Sequence, residues 1–257
     1  MDIPNGVLFR FDPATGDVAR VVEGAVLGAA TLQRDGSLAL LGFHGEVWCW
    51  RGEQRVALAT IPAMRGTRFN DAIADRTGRI LGGTMPTRTQ PSALYSIEPD
   101  GDHRVVISGL GQSNGMALSD DQHTLYHVDT RARVVRAYPY DEEHGTTGTP
   151  RILARFAGTD VVPDGMALDE EGCLWVAMWG GGCVVRLDAS GERVGTMRVP
   201  TPLVSSVAFG GPHLSDLYIT TAGRDDRERH GPLAGSLFIA RPDVRGVERH
   251  RSALRIA

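Results

Sequence analysis

Short apolar runs alternate with polar, glycine-bearing turns along almost the whole chain, a pattern that predicts short strands joined by tight turns. The segment 162–191, VPDGMALDEEGCLWVAMWGGGCVVRLDASG, shows the unit most clearly. A polar turn, Pro163-Asp164-Gly165, leads into the apolar run Met166-Ala167-Leu168, and an acidic turn ends at Gly172. A second strand is predicted over 174–178, a three-glycine turn over 180–182 and a third strand over 184–187. The unit reads as an antiparallel meander.

With Asp164 as the reference position, copies appear on both sides. Fifty residues earlier stands Asn114-Gly115-Met116-Ala117-Leu118, nearly the same words as Asp164-Gly165-Met166-Ala167-Leu168. Another 44 back is Asn70-Asp71-Ala72-Ile73-Ala74, and a further 42 back is Gly28-Ala29-Ala30-Thr31-Leu32. Forward by 41 is Ser205-Ser206-Val207-Ala208-Phe209. A period of roughly 40–50 residues with several short strands per unit is the signature of a β-propeller. Five units and a fragment are visible.

In chain order, residues 2–16 match the second half of a unit, so the chain is expected to begin in mid-blade. Strands are predicted near 38–41, 46–50, 80–84, 93–97, 125–129, 134–138, 217–220 and 236–240, with a polar rim loop over 141–150. The charged loop 223–231 is long enough to cover part of a channel mouth. His44-Gly45 reads as a solvated turn, with a ligand or base as the sharper alternative.

Composition narrows the class. Thirty-two glycines and 14 prolines supply the turns of one all-β domain spanning 1–257. A net charge of −4 argues against a nucleic-acid partner, and no apolar run reaches the length of a membrane span. Cys49, Cys173 and Cys183 have no metal-type spacing and read as small strand-filling residues. With no signal peptide at Met1, a cytoplasmic protein is expected, as a monomer or weak homo-oligomer.

Candidate chemistry lies at the reference positions Gly28, Asn70, Asn114, Asp164 and Ser205. In a propeller such positions converge on the central axis, and carboxylate and amide oxygens without thiolates or imidazoles suit a hard divalent cation. Asn-Gly and Asp-Gly are also common turn dipeptides, which is the plainer explanation for any single unit. A site is favoured because this position varies while its neighbours stay alike. For Arg68 the plainer role is an ion pair with Asp71; His127, His213 and His230 are isolated in sequence.

Arg68-Phe69-Asn70-Asp71 with Gly82-Gly83-Thr84-Met85, then Ser113-Asn114-Gly115-Met116, then Pro163-Asp164-Gly165-Met166 with Leu174-Trp175-Val176-Ala177, then Ser206-Val207-Ala208-Phe209-Gly210-Gly211 occur in one order. Together they resemble the gluconolactonase and regucalcin (senescence marker protein) family of six-bladed propellers, over essentially the whole chain. The resemblance implies a metal-dependent hydrolase of sugar-type lactones. It implies Asn114 and Asp164 as metal ligands, Asp164 also as general base, and Arg68 and Asn70 as substrate-binding residues. The cation would be Ca²⁺ first, with Mg²⁺, Zn²⁺ or Mn²⁺ as alternatives.

Two features depart from the family pattern. Its N-terminal Glu-Gly-Pro type metal ligand has no counterpart, since Glu23-Gly24-Ala25 belongs by position to the end of the fragment blade. The stretch after Met85, Pro86-Thr87-Arg88-Thr89-Gln90-Pro91, carries no acidic residue. The alternatives are therefore a non-hydrolytic binding propeller, or an isomerase or cyclase on the same scaffold. The expected architecture is six blades, the first incomplete at the N-terminus, with 252–256 available as a closing strand. A chain extended by two strands at its start is expected to be more stable, to self-associate less and to regain the glutamate.

Overall fold

The computed structural model describes residues 1–52, 54–158, 160–223 and 227–255. Two compact units are described separately: Met1–Leu110 with Arg249–Ala257, and Gly111–Glu248. Each is built from antiparallel meanders.

In the first unit Leu8–Phe11 and Val18–Val22 (β1, β2) form a two-stranded sheet. Leu27–Leu32, Leu38–Gly42, Glu46–Arg51 and Gln54–Thr60 (β3 to β6) form a four-stranded sheet. A second consists of Phe69–Ala74, Ile80–Thr84, Ser92–Ile97 and His103–Leu110 (β7 to β10). The C-terminal segment is stitched across their turns. Ser252 makes a parallel bridge with Gln33, the Ala253 amide donates to the Gly78 carbonyl, and the Arg255 amide donates to that of Pro99.

In the second unit Ser113–Leu118, Thr124–Asp129 and Val134–Asp141 (β11 to β13) pair in order. Thr146–Thr147 (β14) extends β13 as a small hairpin, and Arg151–Arg155 (β15) adds the outer strand. Val162–Leu168, Leu174–Trp179, Cys183–Leu187 and Arg193–Arg198 (β16 to β19) follow. Val204–Gly210, Asp216–Thr221 and Leu237–Ala240 (β20 to β22) make a three-stranded sheet.

The blade count differs from expectation. Among the described residues, sheets of three or more strands number five, not six. The expected sixth is represented by β1 and β2 alone, because no first or second strand joins them among the described residues. These two strands still pack on a blade, through the cluster of Val22, Leu27, Leu40 and Trp48, with Leu8 and Val21 against it. Among the described residues, the C-terminal segment contributes a single bridge rather than a closing strand.

The cores follow the meander. The first strand Ser113–Leu118 and the second strands Ile80–Thr84 and Leu174–Trp179 are buried almost throughout, whereas the outer strand Arg193–Arg198 alternates and stays largely exposed. Met166, Leu168, Val176, Met178 and Val185 belong to one cluster, and Ala39, Leu41, Phe69, Ile80 and Ile97 to another. All three cysteines are buried and unpaired, with burial raising the thiol pKa of Cys173 and Cys183, so they pack as small apolar groups.

Candidate active site

In all five blades the first strand slips register against the second at the same place. The shifts lie between Leu27 and Ala29, Phe69 and Asp71, Ser113 and Met116, Pro163 and Met166, and Val204 and Ser206. The residues skipped include Gly28, Asn70, Asn114, Asp164 and Ser205. A bulge leaves its extra residue outside the ladder, bends the strand and re-aims a side chain. Asn114-Gly115 and Asp164-Gly165 therefore lie inside strands rather than in hairpin turns, and neither glycine has a positive φ.

These glycines serve close approach instead. A Cβ on Gly115 would stand 2.5 Å from the Asp164 carbonyl oxygen and 2.5 Å from the Met166 nitrogen. A Cβ on Gly165 would collide with Ser206. The first strands β11, β16 and β20 thus touch backbone to backbone at their bulges.

The candidate residues fall into local groups. Asn114 is buried, and its Nδ2 donates to Thr130 Oγ1 at 3.1 Å. Thr130 Oγ1 donates onward to the Pro163 carbonyl at 2.8 Å, one residue before the half-buried Asp164. No described residue donates to Asn114 Oδ1. Asp129, beside Thr130, accepts from the amides of Gly111, Gln112 and Ala132 and from Arg136 Nη1. Burial alone would raise its carboxyl pKa; those donors outweigh it and hold the value low.

In the first unit, Arg68 Nη1 donates to the Phe69 carbonyl at 2.8 Å and to Asn70 Oδ1 at 2.9 Å. Burial lowers the guanidinium pKa, and no carboxylate pairs with Arg68 among the described residues. The alternative partner Asp71 faces Arg249 instead: burial raises its carboxyl, and the Arg249 charge opposes the rise. Two minor candidates fall away. Glu23 pairs with Arg20 in the open, and His44 is an exposed turn residue whose Nδ1 accepts the Gly66 amide at 3.0 Å.

Of the isolated histidines, His213 is exposed, and the His230 carbonyl accepts from Thr201. His127 is wholly buried, with Nε2 2.7 Å from Ser113 Oγ. The covering loop expected over 223–231 lies partly outside the described residues. Among the described residues no three His, Cys, Asp or Glu side chains gather as a metal cluster, so the oxygen donors at hand are those of the bulges. Thr130 and Asp129 escaped the sequence reading, although a threonine closes or follows the second strand in three blades, at Thr84, Thr130 and Thr221.

Repeated meanders with bulged first strands define a β-propeller. The model of the SMP-30/gluconolactonase/LRE-like region matches residues 1–223, and the chain belongs to that family. It is 40% identical to the pentonolactonase XacC of Haloferax volcanii over 100% of this chain and 90% of that protein. It is 34% identical to human regucalcin, over 96% of this chain and 87% of the other. A luciferin-regenerating enzyme superposes with a TM-score of 0.89 at 26% identity, covering 99% of this chain and 90% of that one.

Proposed function

We propose that the chain is a metal-dependent hydrolase of sugar-type lactones. Asn114 and Asp164 are its ligands for a divalent cation, calcium first, and Asp164 is the general base. The observation that carries the reading is the placement of Asn114 and Asp164 at matching bulges of neighbouring first strands. The residues fit such an ion: one amide oxygen whose own N–H is committed to Thr130, and one carboxylate, both hard donors. Whole-length similarity to a pentonolactonase supports the lactone class.

A divalent cation, when bound, polarises a carbonyl group and offsets negative charge developing on its oxygen. Asp164 takes a proton from water as the water oxygen bonds to the lactone carbonyl carbon. It returns that proton to the ring oxygen as the ring C–O bond breaks, leaving an open-chain hydroxy acid. Arg68, which has N–H groups beyond those spent on Phe69 and Asn70, holds substrate oxygens, and Asn70 presents its amide beside it.

The test is hydrolysis of pentono- and hexonolactones before and after chelation, with Asp164→Asn alongside. Activity lost on chelation, restored by Ca²⁺ and absent in the variant is the expected result. Unchanged turnover in metal-free protein would reject the metal, and an active Asp164→Asn would reject the base.

A further inference from the structure

We infer that Thr130 is a positioning residue for the candidate metal site: its hydroxyl sets which way the Asn114 amide faces and ties that amide to the strand carrying Asp164. The inference rests on the site reading above and follows from donor and acceptor inventory. A proline carbonyl only accepts, so at 2.8 Å from Pro163 the single hydroxyl proton of Thr130 is spent on it. What Thr130 Oγ1 offers Asn114 is then a lone pair. Asn114 must answer with its NH₂ group, at 3.1 Å, and its Oδ1 is turned to the other side. The amide orientation, which shape alone leaves open, is thereby determined by a backbone carbonyl of the neighbouring blade.

The relay is held from behind. Thr130 and Asn114 are both buried, so water does not compete for these bonds. The Thr130 amide donates to the Gln112 carbonyl at 3.0 Å, and Asp129 gathers the amides of Gly111, Gln112 and Ala132. The turn after β12 therefore grips the approach to β11 while its hydroxyl reaches β16. Partners of this kind, which orient a ligand without touching the ion, typically change metal affinity or activity by about 10–100-fold when removed.

The experiment compares Thr130→Val, which keeps the shape and deletes the hydroxyl, with Thr130→Ser, which keeps the hydroxyl. Ca²⁺ binding is measured by calorimetry, pentonolactone turnover by kcat and KM, and the Asn114 side-chain amide by NMR in metal-free protein, assigned with Asn114→Asp. Thr130→Val is expected to weaken Ca²⁺ binding about 10–100-fold, to lower kcat more than KM changes, and to shift the Asn114 NH₂ signals. Thr130→Ser should return all three to within about threefold of the parent. Parent-like Ca²⁺ binding and Asn114 signals in Thr130→Val would overturn the inference, as would equal impairment in both variants, which marks a packing role. If the parent neither binds Ca²⁺ nor hydrolyses lactones, the functional reading fails by itself. The Asn114 signals then still decide: a shift in valine reversed in serine supports the orienting role, and no shift overturns it.

Discussion

His127 Nε2 lies 2.7 Å from Ser113 Oγ, in a site where the imidazole is fully buried and its Nδ1 has no partner among the described residues. The ring meets Tyr138 edge-on at 6.3 Å. Burial, opposed by Asp129 and reinforced by Arg136, pushes its pKa down from 6.5 to about 4. The folded protein therefore keeps His127 neutral where the unfolded chain already binds a proton. Stability is unaffected above the unfolded value and falls as pH drops from 6.5 towards 4. The full effect is on the order of 3 kcal/mol. Urea unfolding at several pH values should show a shallower acid loss for His127→Gln than for the parent, and equal slopes would remove His127 as the cause.

Gly115→Ala should be severely destabilising, although its φ would accept alanine. The added methyl group meets the Asp164 carbonyl oxygen and the Met166 nitrogen at 2.5 Å, and backbone cannot swing aside as a side chain can. Overpacking of this kind costs about 1–3 kcal/mol, and relief requires β16 to move with Asp164 on it. Gly195→Ala is the control, since its nearest neighbour would be Arg186 Cβ at an ordinary 3.4 Å. Thermal unfolding should separate the two, and activity per folded molecule should fall only in Gly115→Ala.

How much of this was legible in the sequence depended on burial. The reference positions at Asn114 and Asp164 were visible because the strands Ser113–Leu118 and Val162–Leu168 are largely buried, so their apolar words repeat. That those positions are bulges was not visible: a bulge is a relation between two strands, and Asn-Gly spells a turn equally well. The outer strands Gln54–Thr60, His103–Leu110 and Arg193–Arg198 went unread because each is largely exposed. Alternation with residues such as Gln54, Arg104 and Arg193 gives a weak apolar signal. The count of six rested on the fragment at 2–16, whose strand β1 pairs only with β2 among the described residues. Thr130 was missed because its role depends on a carbonyl 33 residues away.

Asp169 should matter for folding and little for chemistry. Its buried carboxylate accepts from the Glu171 and Cys173 amides, Trp175 Nε1 and the Arg186 guanidinium, at the far end of β16 from Asp164. Asp169→Ala removes the more buried of the two carboxylates that pair with half-buried Arg186, leaving it only Glu171 at 2.7 Å, and leaves the Trp175 N–H without its acceptor. Leaving a buried donor such as the Trp175 N–H unsatisfied costs about 1–3 kcal/mol. Chemical unfolding should show that loss, while kcat per folded molecule stays near the parent value. A parent-like unfolding midpoint would show that the other acceptors compensate.

Arg68 should act on the binding of substrate and, more strongly, of product. Its guanidinium is half-buried and without a carboxylate partner among the described residues, and one Nη1 already steadies Phe69 and Asn70. The remaining N–H groups can take a lactone oxygen, and after ring opening they meet a full carboxylate. Hydrogen bonds between charged groups are worth about 1.5–3 kcal/mol, roughly 10- to 150-fold in affinity. Arg68→Met should therefore raise KM and weaken inhibition by the hydroxy acid by a larger factor, with kcat reduced less. Arg68→Lys should recover part of the product binding, through charge, but not the KM, because a lysine cannot hold Asn70 and a substrate oxygen in one planar fork. Progress curves with added product separate the two effects. If KM and product inhibition both stay at the parent values in Arg68→Met, Arg68 serves only to brace Asn70.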